Sequence, residues 1–155
     1  GVRRFPEALL ATGFSYDEGE ALRRSIRMFQ AFQDHGQTLR RPGAAALDLA
    51  YVASGRFDGY WESGLKPWDC AAGIVLVKEA GGRVTDYAGR PYEIGGYDIL
   101  ACNGHLHEEM LRMLKPFALC PRSGSTLPHH HRQGHAGLMR EAQVKGSTAG
   151  LIELS

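Results

Sequence analysis

Cysteine is scarce in these 155 residues: Cys70, Cys102 and Cys120 are widely spaced, and no C-x-x-C pair occurs. That leaves poor material for a disulfide framework or a structural zinc site, and a reducing, cytoplasmic setting is expected. Charge of either sign is nearly balanced. Lys and Arg number 18 against 17 Asp and Glu, a net charge of +1, so no global excess recruits nucleic acid or an acidic membrane surface. The basic residues are scattered, without the aromatic interleaving that a single-strand binding platform needs. Long hydrophobic runs are missing too. The stretch around Ala71 to Val77 is closed by Lys78 and Glu79, well short of the roughly 20 apolar residues of a bilayer-spanning helix, so no membrane partner is expected. Neither an internal repeat nor a heptad array is present. The chain opens on Gly1, and Val2-Arg3-Arg4-Phe5-Pro6 lacks the apolar stretch of a secretory signal, which reads as a piece of something longer.

What is there suits one domain with a real core: 43% hydrophobic and 23% charged residues. Ala8 to Thr12 reads as a short buried strand ending at Gly13. From Glu18 the period changes. Leu22, Ile26, Phe29 and Gln33 share a helical stripe with Phe32 beside it, Arg23, Arg24, Arg27 and Gln30 face away, and Gly36 stops the helix. A short extended piece runs through Leu39. Pro42-Gly43 then breaks the chain, and Ala44 to Ala53 is a strong helix-forming run that Gly55 can cap.

Phe57 to Glu62 is an aromatic-rich strand, and Trp68 to about Ala80 a helix with Pro67 before it, Asp69 in its first turn and Gly81-Gly82 after it. Arg83 to Tyr87 and Asp98 to Cys102 read as strands. His105 to Phe117 reads as an amphipathic helix with Leu106, Met110, Leu111 and Leu114 inward. Helices alternate with strands throughout, which predicts an α/β fold of layered sheet and helix. Residues 1–117 form the expected domain. Residues 118–155 have neither period and read as a disordered tail, in which His129, His130, His131 and His135 fit a flexible polar segment better than a metal site.

Two helix starts carry the chemistry. In Tyr60-Trp61-Glu62-Ser63-Gly64-Leu65-Lys66-Pro67-Trp68-Asp69 one carboxylate ends a strand and a second opens a helix. The helix dipole favours an ionised Asp69, the hard oxygen donor that Mg²⁺ prefers. A plain helix cap at Asp69 and a solvated strand end at Glu62 are the structural alternative. Arg41-Pro42-Gly43-Ala44-Ala45 offers free backbone amides with almost no side chain in the way, suited to hydroxyl or phosphate oxygens or simply to tight packing. Cys70, Trp61 and Trp68 are expected to be packing residues.

The segment Lys66-Pro67-Trp68-Asp69-Cys70-Ala71-Ala72-Gly73, followed by Glu79-Ala80-Gly81-Gly82, resembles the second signature of the inositol monophosphatase family, W-D-x-A-A-G with E-A-G-G. Arg40 to Glu62 and Ala8 to Ser15 resemble its preceding segments, so the likeness runs from about Gly1 to Lys115. The resemblance implies the C-terminal half of that layered fold and a Mg²⁺-dependent, lithium-sensitive phosphomonoesterase that uses a metal-activated water. It implies a small polyol phosphate substrate such as myo-inositol monophosphate. Asp69 would be a metal ligand, Glu62 would bind substrate hydroxyls, and Gly43, Ala44 and Ala45 would contact substrate through backbone amides. Ser or Thr often stands in the family where Ala44 stands here.

The family's first signature, D-P-x-D-G-T, is absent, since no Asp-Pro occurs in the sequence. One carboxylate cannot hold two or three magnesium ions. The expected chain is therefore inactive alone, with a missing N-terminal half as its natural partner. The competing expectation is a non-catalytic module that folds or forms a homodimer through its uncovered apolar surface. Fructose-1,6-bisphosphatase and bisphosphate-nucleotide phosphatase activities are rivals for the parent enzyme.

Overall fold

A computed structural model describes residues 1–14 and 18–119, which belong to one compact unit. The histidine-rich segment and Cys120 lie outside the described residues. The elements are β1 (Leu9–Thr12), α1 (Glu20–Asp34), β2 (Thr38–Arg40), α2 (Ala45–Ala53), β3 (Gly59–Ser63), α3 (Pro67–Glu79), β4 (Arg83–Thr85), β5 (Asp98–Cys102) and α4 (His107–Leu114), with a 3₁₀ turn at Lys115–Phe117. The strands form one sheet in the order β2-β1-β3-β5-β4. β1 pairs in parallel with β2 and β3, whereas β5 runs antiparallel to β3 and β4.

The two-residue period of the strands divides the core. Leu10, Trp61, Leu100 and Cys102 point to one face, where Met28 and Phe32 of α1 and Met110 and Leu114 of α4 cover them. Ala11, Tyr60, Ile99 and Ala101, their immediate neighbours in sequence, point to the other face and meet Leu49 and Val52 of α2 and Cys70, Ile74 and Val77 of α3. The result is a helix–sheet–helix sandwich, the layered α/β fold that the alternation implies. Missing side chains set two close approaches. A Cβ on Gly59 would collide with Met110, and one on Gly73 would collide with Leu49 where α3 crosses α2.

Three local expectations need correction. The inward stripe of α1 is Arg24, Ser25, Met28 and Phe32, while Ile26 is exposed and Phe29 only half-buried. A charged residue reads as outward-facing by hydropathy, but Arg24 has a partner inside. Its guanidinium grips the Asp98 carboxylate at 2.9 and 2.8 Å, donates to Ser63 Oγ at 2.9 Å and to the Phe117 carbonyl, and lies over the rings of Tyr87 and Tyr97. Trp61 is a packing residue, stacked on Phe32 with centroids 4.0 Å apart. Trp68 is not, being 78% exposed on the first turn of α3. In α4, Leu111 is only half-buried beside the fully buried Leu106, Met110 and Leu114.

Candidate functional site

The three parallel strands end on the same edge of the sheet, and β3 with the segments that follow β2 and β3 carries the predicted site residues. β1 ends at Thr12 and Gly13. β2 ends at Arg40, and the turn through Gly43, in the left-handed region at φ 88°, delivers Ala44 and Ala45 to the start of α2. β3 carries Glu62 near its end, and four residues beyond Ser63 α3 begins. The carboxyl edge of parallel strands, with helices leaving to opposite faces, is where open α/β sheets form crevices. Here α1 covers one face and α2 and α3 the other.

Glu62 follows Tyr60 by two residues, so it lies on the α2–α3 face. It is half-buried and accepts a hydrogen bond from the Tyr60 hydroxyl. Gly13 sits against it so closely that any Cβ there would collide with the carboxylate. Burial pushes the Glu62 carboxyl above its ordinary range. The Tyr60 hydrogen bond opposes this, and Asp48 and Asp69 push the same way as burial while the Arg41 guanidinium opposes it. Glu62 thus feels both helix starts. Tyr60, fully buried, has its phenol pushed up by burial first and by the Glu62 charge second.

Asp69 is half-exposed in the first turn of α3, and its Oδ2 accepts the Lys66 backbone N–H at 3.0 Å. The carboxylate therefore caps its own helix, which leaves Oδ1 for another partner. Cys70 beside it is a buried free thiol over the Lys66 and Pro67 carbonyls, and burial pushes its ionisation up. A packed thiol is what this environment makes of it. Gly43 and Ala44 are exposed and Ala45 half-buried, and Ala44, the N-cap of α2, has no side-chain cap. The first-turn amides of α2 have no acceptor within the helix.

Sequence reasoning missed Asp48, Tyr60, Gly13 and Arg41. Asp48 is buried in α2, with Oδ1 lacking any hydrogen-bond partner. Burial pushes its carboxyl up to about 6, against the lowering effect of the Ala44 amide. Its signal was visible: Asp48 is the lone charge in the apolar run Ala44 to Ala53.

The model of the inositol monophosphatase family matches residues 2–116. The chain belongs to the inositol monophosphatase family. An inositol-1-monophosphatase of Synechocystis is 47% identical over 108 residues, covering 70% of this chain and 38% of the relative. Nus factor SuhB of Haemophilus influenzae is 44% identical over 115 residues, covering 74% of this chain and 43% of the relative. The solved inositol monophosphatase from Anabaena superposes with a TM-score of 0.65 at 42% identity, covering 74% of this chain and 46% of that one. This family member spans less than half the length of those relatives.

The family is metal-dependent, typically on Mg²⁺. Asp69 is the right kind of donor, a hard oxygen at a helix start. The number of donors falls short, because among the described residues no three His, Cys, Asp or Glu side chains gather in a way that could hold a metal ion. A magnesium ion needs about six oxygens in near-octahedral array, and solvent alone makes a weak complement to one carboxylate. These residues by themselves do not make a magnesium site. No described helix is long and apolar enough to cross a membrane.

Proposed function

We propose that this chain is the C-terminal part of a Mg²⁺-dependent phosphomonoesterase that hydrolyses a small polyol phosphate such as myo-inositol monophosphate, and that it is inactive alone. One observation carries the reading: Glu62 near the end of β3, Asp69 in the first turn of α3 and the uncapped start of α2 all lie at or after the carboxyl ends of strands that run in parallel, and the Asp69 and Arg41 charges both act on Glu62. Each has a distinct use. Asp69 contributes one oxygen to a metal site whose other ligands come from the upstream part. Glu62 accepts substrate hydroxyl protons, which favours a polyol over a planar leaving group. The Ala45 amide, with Gly43 and Ala44 shaping the turn, donates to substrate oxygens. The upstream part is the natural partner, and the widely spaced, buried thiols Cys70 and Cys102 suit a cytoplasmic setting.

A second reading, a non-catalytic module that self-associates, is supported by the exposed apolar stripe of α3. Kinetics separate the two. Co-expressed with the upstream part of the Synechocystis relative, the chain should release phosphate from myo-inositol 1-phosphate, and Asp69→Asn should lower kcat by about 100-fold or more. Unchanged turnover in that variant would remove Asp69 from the metal site. A panel including fructose 1,6-bisphosphate and a 3′,5′-bisphosphate nucleotide decides the substrate, a preference for either overturning the polyol monophosphate assignment.

A further inference from the structure

β3 reaches the candidate site with a strand on one side only. β1 pairs with it as far as Trp61, whereas β5 continues to pair with Glu62 and Ser63. A strand end with one neighbour opens more easily than one paired on both sides, but side chains hold this one. The Thr12 hydroxyl donates to the Trp61 carbonyl at 2.7 Å, and the Tyr87 hydroxyl donates to the Glu62 carbonyl at 3.1 Å. Ser63 Oγ donates to Asp98 at 2.8 Å and accepts from Arg24 at 2.9 Å, and the same guanidinium lies over the Tyr87 ring, 5.3 Å from its centroid. The two faces of the strand end are thus used differently. Tyr87 packs on the α1 face with Met28 and Phe32. The Glu62 side chain lies on the opposite face, with the Tyr60 hydroxyl on its Oε2 and Gly13 against its carboxylate.

We propose that Tyr87 is a positioning residue for polyol recognition: from the α1 face its hydroxyl fixes the Glu62 backbone, so that the Glu62 carboxylate, steadied by Tyr60 on the other face, meets a substrate hydroxyl at Oε1. The proposal rests on the reading of Glu62 as the group that binds substrate hydroxyls. Tyr87 is fully buried and acts through Glu62, without touching substrate. Packing asks only for its ring, which phenylalanine would supply. The hydroxyl is a separate requirement, because a buried tyrosine O–H needs a partner. Both Asp98 oxygens are engaged by Arg24, one of them also by Ser63, and the Tyr87 proton goes to the Glu62 carbonyl instead. The buried ion pair thereby holds the ring and Ser63 in place, and the hydroxyl passes that rigidity to the residue that carries the acid.

The test has a spectroscopic arm, which is independent of the functional reading, and a kinetic arm, which is not. In the ¹³C,¹⁵N-labelled 155-residue chain, Tyr87→Phe should move the Glu62 carbonyl-carbon resonance upfield, as loss of a hydrogen-bond donor does. Heteronuclear NOEs of Glu62 and Ser63 should fall, with those of α2 unchanged. In the enzyme completed with the upstream part, Tyr87→Phe should raise KM for myo-inositol 1-phosphate about fivefold while kcat changes less than about twofold. KM for p-nitrophenyl phosphate, which offers Glu62 no hydroxyl, should stay at the wild-type value. In a Glu62→Ala background the same substitution should add nothing, because its effect passes through that carboxylate. An equal rise in both KM values overturns the proposal. So does full additivity with Glu62→Ala, or a Glu62 carbonyl resonance and NOEs that stay where they are in the wild type. Should the completed wild type leave myo-inositol 1-phosphate intact, the functional reading falls and the spectroscopic arm alone decides whether Tyr87 holds Glu62.

Discussion

Three buried ionisable residues show how differently burial can be met. Arg24 is fully met: a two-pronged grip on Asp98, the Ser63 hydroxyl and the Phe117 carbonyl leave the guanidinium well partnered under two tyrosine rings. Removing one side strands the other, so Arg24→Ala should lower stability by about 3–5 kcal/mol, read from urea midpoints. A loss below about 1 kcal/mol would mean that water reaches Asp98. Asp58 is also met, accepting from the Val2 and Leu9 amides and from Asn103, which ties the N-terminal segment to the sheet. Asp48 is the exception.

The pH dependence of Asp48 follows from its shift. Its folded pKa, about 6, lies above the ordinary 3.8. Between those values the folded chain holds the proton and the unfolded chain does not, so stability is greatest below about pH 4, falls as pH rises through 6, and then levels off. Asp48→Asn should abolish that slope and raise stability at pH 7.5 by about 2–3 kcal/mol relative to wild type, while leaving pH 4 nearly unchanged. Parallel urea curves for the two proteins at both pH values would contradict the shift. A carboxyl kept at that cost fits a functional edge, where stability is commonly sacrificed.

Among the elements, the helices fall into two kinds. α1 and α4 are sharply amphipathic, with one stripe in the core and charge outside. α3 is apolar nearly all round, and beyond its buried Cys70, Ile74 and Val77 it exposes Trp68, Val75 and Leu76 along one stripe, while α2 exposes Leu47. A helix apolar on every side belongs between two layers. Alone in solution the chain should self-associate through this stripe, and Leu76→Glu should shift sedimentation toward monomer at the same concentration. An unchanged distribution would direct attention to another surface.

Most of the elements were legible because their ends carry strong local chemistry: Pro67 and Gly81-Gly82 around α3, Pro42-Gly43 before α2, Gly36 after α1. β3 was displaced by two residues because Phe57 looks like strand but packs in the turn before it. The inward face of α1 was not legible, since hydropathy cannot foresee that Asp98, more than seventy residues away, receives Arg24. At the candidate site, the motif points to Asp69 and Glu62, but Gly13 meets Glu62 only through the pairing of β1 with β3, and Tyr60 reaches it only through their shared face of β3. Asp48 could have been found only by asking why an apolar helix keeps one acid.

For the whole molecule, the proposed reading makes the sheet edge one part of a larger site. Parallel strands, two helix starts and the carboxyl groups of Glu62 and Asp69 share that edge, yet among the described residues no three His, Cys, Asp or Glu side chains gather to hold a metal ion. The relatives that the chain matches are more than twice as long as the matched part. The proposed reading accounts for that deficit by an upstream complement rather than by a different chemistry. The most direct test is phosphate release from myo-inositol 1-phosphate by the chain alone, by the upstream part of the Synechocystis relative alone, and by the two together across a magnesium titration. Activity that depends on Mg²⁺ and arises only when both parts are present is the expected result. Equal release by the chain alone, or none from the pair once complex formation is demonstrated, would contradict it.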